Sequence, residues 1–178
     1  MTRLLLVLGL LLAGIAAEAQ TDTANRKAAT GASLEPPFKR LPGLPPIDLL
    51  LADSSTVFTS EQVKKKPVLL MLFDPECHHC QVTAEELYRE RNTLRHVQVV
   101  MATMATVPAM RAFRERYHLD EVPQVLVGKD RYYLLPPFFN VTHLPFMALY
   151  NRRHQLAGSY EGGIPIPKAV ALLTGKQD

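Results

Sequence analysis

The stretch Phe73–Gln81, FDPECHHCQ, carries both cysteines of a chain of 178 residues. Two thiols separated by two residues can form a disulfide or release it with little movement, and the thiolate form is the nucleophile in such exchange. The intervening His78 and His79 bring imidazoles that titrate near neutral pH to the same site. A C-x-x-C pair of this kind points to redox chemistry, and less directly to a soft metal ion. Packing alone does not require such close spacing.

The elements around the pair decide how it is presented. PVLLMLF (67–73) is a continuous apolar run closed by Asp74-Pro75, the pattern of a strand buried on both faces. From Cys77 to about Arg95 the period becomes helical, with Cys80, Ala84, Leu87 and Leu94 on one face and Glu85, Glu86, Arg89 and Glu90 largely off it. The pair therefore falls where a buried strand hands over to a helix. There an i, i+3 pair has β-carbons roughly 5–6 Å apart, and a small adjustment of the first turn lets the sulfurs bond. Cys77 lies at the helix start, where free backbone N–H groups and the positive end of the helix dipole favour a thiolate. Cys80 points to the core. The expected roles are Cys77 as attacking nucleophile and Cys80 as resolving thiol. A protonated His79 would favour the thiolate further and make the disulfide more oxidising, whereas His78 either lines the client side or faces solvent.

Further along, VQVVMAT (97–103) predicts a second strand, and Val107–Tyr117 a helix with Met110, Phe113 and Tyr117 at helical spacing. FMALY (146–150) and QLAGSY (155–160) flank a polar turn and predict a hairpin. A last helix opens at Pro165 or Pro167 and carries Ala169, Val170, Leu172 and Leu173. Strand–helix–strand–helix, then hairpin and helix, defines an α/β fold with a mixed sheet covered by helices on both faces.

The compartment follows from the N-terminus. MTRLLLVLGLLLAGIAAEA (1–19) has Arg3 as its charged start, an apolar stretch from Leu4 to Ala17 and an A-x-A site, and predicts a signal peptide. The stretch is shorter than the roughly 18 or more residues that span a bilayer. The cysteines are thus expected in a periplasmic or secreted setting, where disulfides persist. Gln20–Gly43 is read as a disordered leader, polar and then proline-rich in LEPPFKRLPGLPP (34–46), and residues 44–178 as the domain. The formal net charge of +3 is too mild to argue for nucleic acid or a membrane surface. Asn140-Val-Thr142 matches a glycosylation acceptor, relevant only in a eukaryotic secretory route.

KKKPVLLMLFDPECHHCQ and VTHLPFMALYNRRHQLAGSYEGG together resemble the two signatures of the thioredoxin superfamily. The nearest flavour is its extracytoplasmic group related to cytochrome c maturation thiol reductases. The resemblance covers about residues 44–175. It implies a thioredoxin-like fold, thiol–disulfide oxidoreductase activity on protein thiols and disulfides without a bound cofactor, and an upstream redox donor or acceptor. It also implies that Pro145 is the cis-proline facing the dithiol, with Leu144 presenting its backbone to a client. Pro123 in EVPQVLVGKD competes for that role, but two strands and a turn follow Pro145 in hairpin order. The chain departs from the family pattern at two places. Pro75 stands where a tryptophan is usual, and Met71 falls where many members carry a buried acid, leaving Asp74 or Glu76 to serve as proton carrier, cap or solvated charge. The segment 119–140 is longer than a minimal member needs, and its aromatics Tyr132, Tyr133, Phe138 and Phe139 are read as core packing rather than partner contacts. The alternative function is an extracytoplasmic copper chaperone using Cys77, Cys80 and a histidine such as His143.

Overall fold

The computed structural model describes residues 35–63 and 65–175. The expected signal peptide and the first part of the leader lie outside them. From Glu35 the chain forms one compact unit. In chain order its helices and strands are α1 (Pro37–Arg40), β1 (Asp48–Leu51), β2 (Val57–Thr59), β3 (Val68–Phe73), α2 (His78–Arg89), β4 (Gln98–Thr103), α3 (Val107–Arg116), β5 (Val125–Asp130), α4 (Leu135–Phe139), β6 (Phe146–Tyr150), β7 (Leu156–Glu161) and α5 (Ile166–Thr174).

The apolar run before the dithiol becomes β3, with all its residues buried. It lies inside a seven-stranded sheet of order β2-β1-β5-β4-β3-β6-β7. β3, β4 and β5 run parallel, while β6 pairs antiparallel with β3 and β7 with β6. Side chains alternate across the pleat, so β3 feeds two cores. Leu69, Met71 and Phe73 meet Cys80, Ala84 and Leu87 of α2, Met110 and Phe113 of α3, and Ile166 and Ala169 of α5. Val68, Leu70 and Leu72 meet Phe38, Leu135 and Phe139 on the other face. Each of the large aliphatic and aromatic side chains among these contributes about 1.5–3 kcal/mol by leaving water. Among the described residues no helix is long and apolar enough to cross a membrane.

The structure corrects three expectations. The compact unit takes in residues 35–43, which were expected in the leader, because the proline-rich stretch contributes to its core. Pro36 caps a single helical turn and Pro37 takes its first position, where a proline ring is compatible with the helix and the missing N–H would have had no intrahelical partner. That turn buries Phe38 against Phe139 and Phe146, at ring-centroid distances of 5.5 and 6.2 Å. The second correction concerns the helix after the dithiol, which stops at Arg89 rather than near Arg95. The Glu90 carbonyl accepts both the backbone N–H and the hydroxyl of Thr93, which turns the chain into a short 3₁₀ segment, Thr93–His96, that still buries Leu94. Third, segment 119–140 belongs to the fold, but its aromatics do not all pack in the core as expected. It supplies β5, which stands between β1 and β4 in the sheet, and α4, which covers the second core. β1 can lie on β5 because Gly128 has no side chain: a β-carbon there would come within 2.6 Å of Leu49 Cβ. The aromatics of the segment divide, with Phe139 buried and Tyr132 and Tyr133 each 60% exposed.

Candidate functional site

The loop between β3 and α2 is shaped by Asp74. Its Oδ1 accepts the Glu76 N–H at 2.8 Å and its carbonyl accepts the Cys77 N–H at 3.1 Å. This is the short turn that aspartate favours, and it carries the chain directly from strand into helix. Pro75 is buried within the turn, and its carbonyl accepts the Gln81 side-chain amide at 2.8 Å. Met71 is fully buried, so the position where the family carries an acid is apolar here.

Cys77 is the N-cap residue of α2. Its Sγ accepts the backbone N–H of Cys80 at 3.4 Å, in the place where a serine or aspartate oxygen would ordinarily cap the helix. Cys77 is half-buried, whereas Cys80 has no exposed surface. Both thiols are free in this structure. Burial pushes the Cys80 thiol up, and its hydrogen bond with Cys77 adds to the effect. The two sulfurs therefore occupy unlike environments. One faces the rim of the sheet and the other the core.

The second wall of the site comes from the segment before β6. The Leu144–Pro145 peptide bond is cis, and the Cys77 thiol points at the Leu144 carbonyl across 3.7 Å. Residues 67 positions apart in sequence meet because β6 lies antiparallel beside β3, with Leu72 opposite Phe146. Pro123 lies just before β5, at the other end of the parallel strands.

The structure thus brings together Cys77, Cys80, Leu144 and Pro145. His78 and His79 are both exposed at the first positions of α2, with ring centroids 6.1 Å apart. His143 turns to Glu161, with Nδ1 2.9 Å from Oε2. Among the described residues no group of three or more His, Cys, Asp and Glu side chains is placed to hold a metal ion, so the third ligand of the copper reading is engaged elsewhere. Glu161 itself is absent from the sequence-based candidates. The available signal was its place in the second signature, just before Gly162-Gly163 and opposite the start of β6 in a hairpin. Two surface clefts, one lined by Leu51, Lys66, Arg114 and Pro123 and the other by Pro67, His96 and Arg152, lie at the end of the sheet away from Cys77. The dithiol stands instead on the rim formed by the ends of β3 and α2 and the loop before β6.

This architecture, a mixed sheet with the C-x-x-C at the strand-to-helix junction and a cis-proline before the following hairpin, is the thioredoxin fold. Among solved structures the chain is similar to MTB DsbF, at 22% identity and a TM-score of 0.61 over 72% of this chain and 92% of that one. It is also similar to a secreted Mycobacterium tuberculosis disulfide oxidoreductase described as homologous to E. coli DsbE, at 19% identity and a TM-score of 0.60 over 78% and 98%. A thioredoxin-like protein from Aeropyrum pernix matches at 16% identity and a TM-score of 0.60 over 86% and 99%. No protein-family model matches the sequence. No curated protein matches it either.

Proposed function

We propose that the chain is a thiol–disulfide oxidoreductase acting on protein clients outside the cytosol. The observation that carries this reading is the asymmetric dithiol: Cys77 on the rim as cap of α2, beside the Leu144 carbonyl, and Cys80 buried one turn behind it. In the reducing direction the Cys77 thiolate attacks one sulfur of a client disulfide, forming a mixed disulfide and releasing one client thiolate. Cys80, having lost its proton, then attacks the Cys77 sulfur. The Cys77–Cys80 disulfide forms, the second client thiolate leaves, and two electrons have passed to the client. The oxidising direction is the same sequence reversed. His79 favours the Cys77 thiolate when protonated, and Leu144, held by Pro145, offers its backbone to an extended client segment. His78 borders the client side. The N-terminal signal pattern supports a periplasmic or secreted location, as does the likeness to a protein described as secreted.

The test is a trap. Without Cys80 the mixed disulfide has no intramolecular exit, so Cys80→Ser is expected to accumulate reducible adducts with proteins of its own compartment. The double variant Cys77→Ser, Cys80→Ser is expected to yield none. Equal adduct yields from the two variants would overturn the proposal.

A further inference from the structure

Glu161 is the last residue of β7 and lies opposite Phe146. Its carboxylate reaches back to the loop that leads to Pro145. Oε1 accepts the backbone N–H of Thr142 at 3.2 Å, and Oε2 accepts the Thr142 hydroxyl and faces His143 Nδ1 at 2.9 Å. Three polar groups of two consecutive residues thus converge on one side chain that is 37% exposed. The Thr142 hydroxyl, and after it His143, holds this carboxyl below its ordinary range, as expected for hydrogen bonds made to the charged form. Gly163 closely approaches the other end of the same loop. It sits at φ +78, and a β-carbon there would come within 3.0 Å of Pro145 Cγ and 3.3 Å of Met147 Cε. The chain leaving β7 is thus bonded to the 142–145 loop at one end and packed close to it at the other, and between the two lies Leu144, whose carbonyl stands 3.7 Å from Cys77 Sγ.

We infer that Glu161 is a positioning residue for polypeptide clients, holding the Thr142–Leu144 backbone so that an extended client strand can lie along it with its sulfur at Cys77. The inference rests on the oxidoreductase reading and adds to it a distinction between substrates. A polypeptide disulfide uses both the sulfur and the backbone alongside Leu144. A small aromatic disulfide needs only an accessible thiolate. Loss of the Glu161 contacts therefore weighs on the first more than on the second, through orientation of the reacting sulfurs rather than through thiol chemistry.

Single-turnover reduction by the pre-reduced full-length protein separates the two. Insulin serves as the polypeptide disulfide and dithiobis(nitrobenzoate) as the small one. Each turnover converts the protein dithiol to its disulfide and the probe disulfide to two thiols, so no further reductant is required. Glu161→Ala is expected to lower the ratio of the insulin rate to the small-disulfide rate by about fivefold to tenfold, the size of one or two hydrogen bonds to a charged group weakened by exposure. Thr142→Val, which removes the hydroxyl but keeps the side chain's shape, is expected to lower the same ratio. The double variant should fall no further than Glu161→Ala alone, because both changes break one network. General damage to the fold would depress both rates together and leave the ratio intact. A ratio within twofold of the wild type in Glu161→Ala overturns the inference alone. Failure of the wild type to reduce either probe overturns the oxidoreductase reading, and the inference with it.

Discussion

Cys77 and Cys80 are the same residue type three positions apart, and their difference comes entirely from where the helix puts them. Cap position leaves Cys77 half-buried and within reach of Leu144, while one turn of helix carries Cys80 into the core among Ala84 and Leu87. When protonated, His79 carries a charge that the thiolate form of Cys77 would feel and the disulfide would not. Replacing it tests that influence. His79→Ala keeps the helix, since alanine is the best helix former, and is expected to make the pair more reducing. Equilibration in glutathione buffers reads the potential. A shift of less than about 15 mV, half of the interval for a tenfold change in the exchange constant, would mean that the imidazole does not tune the site. At this scale the sequence was informative about the thiols, because spacing and helical phase are local properties. For Glu161 it offered only a place beside Gly162-Gly163, because the part this residue plays depends on three groups of a loop 18 and 19 positions away.

At the scale of elements, a pattern was legible wherever one period persisted. β3, β4, α3, the β6–β7 hairpin and α5 all fall close to their expected places, because continuous apolar runs mark the buried strands and apolar residues recur at 3.6 positions in the helices. The shorter elements were not, because their sequences carry signals of the opposite kind. Pro37 within α1 and Pro136-Pro137 within α4 read as helix breakers, yet each lies in the first turn of its helix, where the lost N–H is one that the helix does not use. β1 and β2 are also short, and Asp53 organises the turn between them, to which Arg111 is also bonded through the Ala52 carbonyl and the Ser54 hydroxyl. Asp53 accepts the hydroxyl of Thr56 and the backbone N–H groups of Ser55 and Thr56. These bonds, the Thr56 hydroxyl foremost, hold the Asp53 carboxyl down at about 2. A carboxyl depressed in the folded state stabilises that state above its ordinary value near 4, and the contribution is lost as pH falls toward 2. Asp53→Asn lacks that titration. Its urea midpoint should lie below the wild type's at pH 6 and converge on it by pH 2, and an unchanged gap between the two would show that the turn carboxylate is not linked to folding.

At the scale of the molecule, the site exists because sheet topology brings distant segments to one rim. The parallel strands β3 and β4 end beside the start of the antiparallel β6, so a helix cap and a proline loop face each other without any local code for the meeting. The resemblance to a known fold made this arrangement legible where composition alone did not. The boundary of the domain was less so, since a proline-rich segment without periodicity gives no sign that one phenylalanine within it is core. Phe38 is 6% exposed and packs on Phe139 and Phe146, the latter opening the strand that follows Pro145. The same segment is tied down by the Pro42 carbonyl, which accepts the Leu156 N–H at 2.7 Å, and by the bridge of Gly43 to Gln155. A chain beginning at Glu35 keeps all of these contacts, whereas one beginning at Leu44 keeps none of them. Emptying a phenylalanine site in a core costs about 3–5 kcal/mol, which for a domain of this size lowers the thermal midpoint by on the order of 10 °C. The chain from Leu44 is therefore expected to melt that far below the chain from Glu35, and its rate of insulin reduction should fall as well, because the lost ring supports Phe146 next to the client loop. Equal midpoints for the two truncated chains would show that the proline-rich segment lies on the domain without stabilising it.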